Sequence, residues 1–93
     1  MEAIIGDIGN TITKVCLINT KNFKIKREIY FDSNKILSKN LIKKKLKKIL
    51  KNISISKFAL FSSVVPKYHL RLKKILKKFY KINIKEFKDR DIN

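Results

Sequence analysis

Gly6-Asp7-Ile8-Gly9-Asn10-Thr11, with Lys14 three residues on, lies between two short apolar runs, Ala3-Ile4-Ile5 and Val15-Cys16-Leu17-Ile18. Both runs are rich in β-branched residues and too short to stand as helices, so the stretch predicts strand, tight turn, strand. The tip of that hairpin gathers a carboxylate, a glycine, an amide and a hydroxyl. Gly9 permits a close backbone approach or a positive φ, and successive main-chain N–H groups in such a turn can form an anion-binding concavity. Thr11 offers a hydroxyl donor, and Asn10 donates and accepts at once. Asp7 repels phosphate, so its chemistry in such a site is to hold Mg²⁺, usually through water, while the metal bridges phosphates. The same residues also fit an ordinary hairpin connector, since Asp-Gly and Asn-Gly turns are common. A simple two-residue connector, however, does not call for Asn and Thr after the second glycine.

Working outward, Phe23, Ile25, Ile29 and Phe31 alternate with Lys24, Lys26, Glu28 and Tyr30, which predicts a half-exposed antiparallel strand broken on its apolar face only by Arg27. Asn19 to Asn22 supply the turn into it. Asp32 or Ser33 is a reasonable N-cap for a helix reaching about Asn52. In that helix Leu37, Leu41, Ile42, Leu46, Ile49 and Leu50 form the apolar stripe, and lysines occupy the other side. Phe58-Ala59-Leu60-Phe61 is apolar at each position, as in a strand buried on both faces and reached by a helical crossover. Ser62-Ser63-Val64-Val65-Pro66 follows, with Pro66 placed to begin a second helix striped by Tyr68, Leu72, Ile75, Leu76 and Phe79. Its lone His69 reads as a solvated polar-side residue. Lys81 to Phe87, with Ile82 and Ile84 alternating, is the final strand. The order strand-strand-strand-helix-strand-helix-strand implies one mixed α/β sheet with packed helices. Ligands of such sheets bind at loops on strand ends.

Ninety-three residues allow one domain. The formal charge of +17 invites a nucleic-acid reading. Yet Lys, Ile and Asn make up 45 of the 93 residues, and Ala, Gly, Pro, Arg and Trp only 8. That skew matches an AT-rich coding sequence that uses Lys wherever a solvated residue is needed. Arg, whose fork reads phosphates and guanine edges bidentately, occurs only at positions 27, 71 and 90. A solvated lysine surface is therefore expected, with no specific nucleic-acid partner. Cys16 stands alone in an apolar run and reads as a small core residue, consistent with a reducing interior. No signal peptide or membrane span is evident, so a cytoplasmic location without membrane association is expected.

The element order and the Asp7-Ile8-Gly9-Asn10-Thr11 turn resemble the N-terminal half-domain of the acetate kinase, sugar kinase, heat-shock-protein and actin superfamily, a ribonuclease H-like, actin-like ATPase fold. That turn together with Ser62-Ser63-Val64-Val65-Pro66 resembles type III pantothenate kinase, over essentially the whole chain. The resemblance implies that Asp7 is the metal- and phosphate-organising carboxylate. It further implies that Ile8, Gly9, Asn10, Thr11, Ile12, Thr13 and Lys14 belong to the ATP-binding turn, with Gly9, Asn10 and Thr11 lining the phosphates. Lys14 is either a phosphate contact or a solvated strand lysine. Ser62 and Ser63 either face the cleft or simply close the turn before Pro66.

Members of that family are more than twice this length. They carry a later Gly-Ala-Asp-Arg segment, with a proposed catalytic base, and a second nucleotide-clamping turn. By that resemblance the base is expected beyond Asn93, and no residue of this chain is expected to be catalytic. The 93 residues are thus expected to be an incomplete N-terminal half-domain (1–93), inactive alone. The full-length protein is expected to phosphorylate pantothenate with ATP, Mg²⁺ and a monovalent cation (K⁺ or NH₄⁺), as a homodimer, in coenzyme A biosynthesis. Another small-molecule kinase or regulatory relative of the superfamily is the nearer alternative. A small basic nucleic-acid-binding protein is the more distant one, marked by a steep salt dependence.

Overall fold

β1 (Glu2–Ile8) and β2 (Ile12–Asn19) form the expected antiparallel hairpin, Ile8 opposite Thr13 and Glu2 opposite Asn19. The computed structural model describes residues 1–50 and 55–87, with side chains described for 1–50 and 59–85. β3 (Ile25–Asp32) pairs antiparallel with β2, and β4 (Ile55–Ser63) and β5 (Asn83–Phe87) add in parallel, giving the sheet order β3-β2-β1-β4-β5. A 3₁₀ turn (Ser33–Leu37) and α1 (Lys39–Leu50) connect β3 to β4, and α2 (Pro66–Tyr80) connects β4 to β5. The mixed sheet and its element order are those expected.

One core fills the space between the sheet and the helices. Ile4, Ile8, Val15, Leu17, Phe31, Ala59 and Phe61 face it from the strands. Ile42, Leu46, Ile49 and Leu50 face it from α1, and Leu72, Ile75 and Leu76 from α2. Each such aliphatic side chain contributes about 1.5–3 kcal/mol when fully withdrawn from water. Neither helix carries an acidic residue, and their lysines project outward. Among the described residues no helix is long and apolar enough to cross a membrane.

Several local expectations are corrected. Phe23 is outside β3: it adopts left-handed backbone, φ 59°, in a turn whose ends are held by Asn19 and Asn22 side chains accepting from the amides of Lys21 and Lys24. A register shift between Leu17 and Ile18 then brings Ile25 opposite Ile18, and Ile25 lines the uncovered face instead of the core. The break at Arg27 has a structural reason, because its guanidinium donates to the Ile49 carbonyl near the end of α1 at 3.0 Å. The first helix is divided. Ser38 is extended, φ −104° and ψ 109°, so Asp32 precedes and Ser33 opens only the 3₁₀ turn, and Asp32 makes no side-chain cap. That offset buries Ile36 and leaves Leu37 and Leu41 exposed. The expected reach of α1 to Asn52 lies outside the described residues, as does the C-terminal stretch from position 88 to Asn93.

β4 is covered on one face only: Ala59 and Phe61 are buried and Leu60 is exposed, while Phe58 lies outside the described side chains. His69 is buried, not solvated, since it shares the inward stripe of Leu72 and Leu76 at three- and seven-residue steps. Lys81 ends α2 in left-handed conformation, and Ile82 N–H bonds to Leu76 C=O, the double-bonded C-terminal stop that usually employs glycine. β5 accordingly begins at Asn83, not Lys81.

Gly6 lies beside Phe61 in the parallel β1–β4 register. A Cβ at Gly6 would overlap the Phe61 ring, coming within 2.9 Å of Cζ, and Phe61 is fully buried with nowhere to retreat. Gly6→Ala is therefore expected to cost about 1–3 kcal/mol by overpacking, read as a lower urea midpoint with an unchanged slope.

Candidate functional site

Parallel pairing brings the carboxyl ends of β1 and β4 side by side, with Asp7 opposite Ser62 and Ile8 opposite Ser63. Strand alternation sends Ile8 into the core and Asp7 onto the face that the helices leave uncovered. Ser62 Oγ donates to Asp7 Oδ1 at 2.8 Å, a charge-assisted bond to a carboxylate that is otherwise exposed. A groove of about 400 Å³ opens here, with Asp7, Lys14 and Ser62 at its polar side and Ile5, Ile25 and Leu60 along its apolar floor.

The two serines divide their work. Ser62 faces the groove, whereas the Ser63 hydroxyl accepts from Val65 N–H at 3.1 Å and donates to Val65 C=O at 3.0 Å, closing the turn that leads to Pro66. Val64 N–H continues to Ile8 C=O at 3.1 Å, so the β1–β4 ladder runs up to the start of α2.

The Gly9–Ile12 turn is braced on its inner side. Gly9 N–H bonds Ile12 C=O at 3.0 Å, so one of the turn's amides is spent internally. Among the described residues, the Asn10 and Thr11 amides make no hydrogen bond. Gly9 has no positive φ. Its requirement is proximity: a Cβ there would lie 2.7 Å from Ile12 O. Asn10, Thr11 and Ile12 are exposed, whereas Ile8 and Thr13 are fully buried, main chain included.

Lys14 stands on the groove face opposite Asp7, but its ammonium turns to β3, 3.5 Å from Glu28 Oε2 and 5.6 Å from the Tyr30 ring centre. A hydrogen bond to Tyr30, then the charge of Glu28, raise its pKa. Tyr30 and Lys14 in turn hold the Glu28 carboxyl below its ordinary value. Cys16 lies beside this cluster with Sγ 3.6 Å from Glu28 Oε2, and burial pushes its thiol up. Lys14 is thus a cation with a carboxylate partner at the groove edge. Sequence reading misses the pairing because Glu28 is on the next strand.

Among the described residues no three His, Cys, Asp or Glu side chains converge on a metal position. A single exposed carboxylate is a poor cage for Ca²⁺ or Zn²⁺ but suits Mg²⁺, which keeps its waters and takes one or two carboxylates plus phosphates.

A family model described as type III pantothenate kinase matches residues 3–93, up to and including Asn93. A curated type III pantothenate kinase from Pelagibacter ubique is 50% identical over 90 residues, covering 97% of this chain and 36% of its own length. The chain therefore spans about a third of that relative. A solved structure described as a structural study of the Aquifex aeolicus PPX-GPPA enzyme superposes with a TM-score of 0.51 at 15% identity, covering 94% of this chain and 36% of that one. That likeness is one of fold, in keeping with the expected fold class.

Gly9→Ala is expected to lower unfolding free energy by about 1–3 kcal/mol, because Cβ meets rigid backbone. Asn10→Ala, at an exposed side chain, is expected to stay within about 0.5 kcal/mol. Thermal melts of both variants check the contrast.

Proposed function

Because the chain belongs to the type III pantothenate kinase family, we propose that its first turn grips the phosphates of ATP for phosphoryl transfer to pantothenate, the entry to coenzyme A synthesis. One observation carries this reading: the outward Asp7 carboxylate, held by Ser62, stands at the same strand end as the unpaired amides of Asn10 and Thr11. Main-chain N–H groups bind phosphate oxygens without a net charge of their own. Asp7 supplies the negative group that a metal needs and phosphate does not.

Bound Mg²⁺ would neutralise charge that develops on the transferred phosphoryl group. Asp7 would hold the ion through its carboxylate, directly or through water, and Ser62, bonded to Oδ1, orients that carboxylate. Asn10 and Thr11 orient the phosphate chain through their amides, and the Thr11 hydroxyl adds a donor. Lys14, held at Glu28, contributes positive potential at the groove edge. Ile8, Ile12 and Thr13 complete the turn through their backbone.

In this reading residues 1–93 form the opening part of the N-terminal half-domain. The catalytic base, the pantothenate pocket and the second nucleotide clamp belong to the remaining length of the enzyme, beyond Asn93. The full-length enzyme works in the cytoplasm as a homodimer, with K⁺ or NH₄⁺ beside Mg²⁺.

Calorimetric titration of the 93-residue chain with ATP tests the turn. Binding is expected with Mg²⁺ and at least about tenfold weaker binding in Asp7→Ala, a loss of about 1.4 kcal/mol. The same chain is expected not to turn over pantothenate. A Mg·ATP affinity unmoved by Asp7→Ala would overturn the assignment of Asp7.

A further inference from the structure

Ser33 lies directly behind the turn, fully buried, where β3 ends and the 3₁₀ turn begins. Its backbone N–H donates to Thr11 C=O at 2.8 Å, and its hydroxyl donates to Gly9 C=O at 2.7 Å. The Thr13 hydroxyl, equally buried, is 2.7 Å from the same Ser33 Oγ. A serine hydroxyl has one hydrogen. With that hydrogen given to Gly9, the Thr13 hydroxyl must be the donor to Ser33. The result is a directed chain, Thr13 O–H to Ser33 O–H to Gly9 C=O, whose members polarise one another away from water.

Among the described residues no peptide bond is cis, and in a trans peptide the C=O and the following N–H point in opposite directions. Drawing the Gly9 carbonyl inward therefore turns the Asn10 N–H outward, and drawing the Thr11 carbonyl inward does the same for the Ile12 N–H. We propose that Ser33, seconded by Thr13, is a positioning residue for phosphate binding: it fixes the peptide orientation that presents the turn's amides to the ligand. This inference rests on the nucleotide-binding reading above. It adds a residue that is outside the turn and touches no ligand. Preorganisation of this kind raises affinity because the donors need no reorientation when the anion arrives.

Two measurements separate positioning from mere stability. Backbone ¹⁵N relaxation of the 93-residue chain, without ligand, is expected to show ordered Asn10 and Ile12 amides, loosened in Ser33→Ala and, less so, in Thr13→Val. Calorimetric titration with Mg·ATP is expected to show about tenfold weaker binding in Ser33→Ala. Ile75→Val, which trims the core away from the turn, should lower the melting temperature without altering affinity. Ser33→Thr, which keeps the hydroxyl, should recover affinity relative to Ser33→Ala. If Ser33→Ala does not fold, Thr13→Val carries the same comparison, because it removes only the donor to Ser33. Unchanged amide order and affinity within twofold of the unsubstituted chain would overturn the brace. Failure of the unsubstituted chain to bind Mg·ATP would instead remove the nucleotide reading, and the relaxation data would still decide whether Ser33 orders the turn.

Discussion

The parallel pairing of β1 with β4 is the constraint on which the site depends. It sets Asp7 against Ser62, residues 55 positions apart in sequence, and aligns both strand ends with the start of α2. The register is locked by shape. Phe61 fills the space over Gly6 that a side chain would occupy, and both belong to the face turned toward the core. Because side chains alternate along a strand, a slip of one residue would send Asp7 into the core and Ile8 into water. The carboxylate's exposure and the burial of Phe61 are thus one condition.

Most of the fold is legible because its elements carry clean periods. The short β-branched runs of β1 and β2 name strands, the three- and four-residue steps of α2 name a face, and Pro66 marks a helix start. What escapes is governed by contacts distant in sequence or by local geometry that periodicity does not encode. Ile25 follows the two-residue rhythm of β3, yet an irregularity in β3 itself, where Lys26 is the extra residue, carries it to the other side of the sheet. Leu37 and Leu41 fit one continuous helix, and the extended backbone at Ser38 resets the phase. The polarity of His69 points to water, while its position in the 69-72-76 stripe places it inside. The apolar run of β4 suggests two covered faces. Leu60 faces the groove instead.

At the site, the turn stands out by residue type, because Asp7, Gly9, Asn10 and Thr11 together fit the proposed phosphate grip. The reason for Gly9 is legible only as an alternative between positive φ and close approach, and close approach to Ile12 is what the structure contains. Ser62 and Ser63 look equivalent in sequence and are separated by the pleat of β4, one toward Asp7 and one toward the backbone of Val65. Ser33 reads as a helix cap, a common use of serine. Its partners Gly9 and Thr13 lie 24 and 20 residues away, and nothing local distinguishes such a brace from a cap.

The antiparallel part of the sheet, β3-β2-β1, lies within the first 32 residues, and Ser33 follows immediately. The Gly9–Ile12 turn and its brace therefore close over short stretches of chain, through two hairpins. Ser62 reaches Asp7 only after a crossover through α1. Loop-closure entropy grows with the length enclosed, and low-separation contacts form fastest. A nascent chain emerging from the ribosome can shape the turn and its Ser33 brace well before Ser62 can bond Asp7, so the carboxylate is oriented later in folding than the turn is closed.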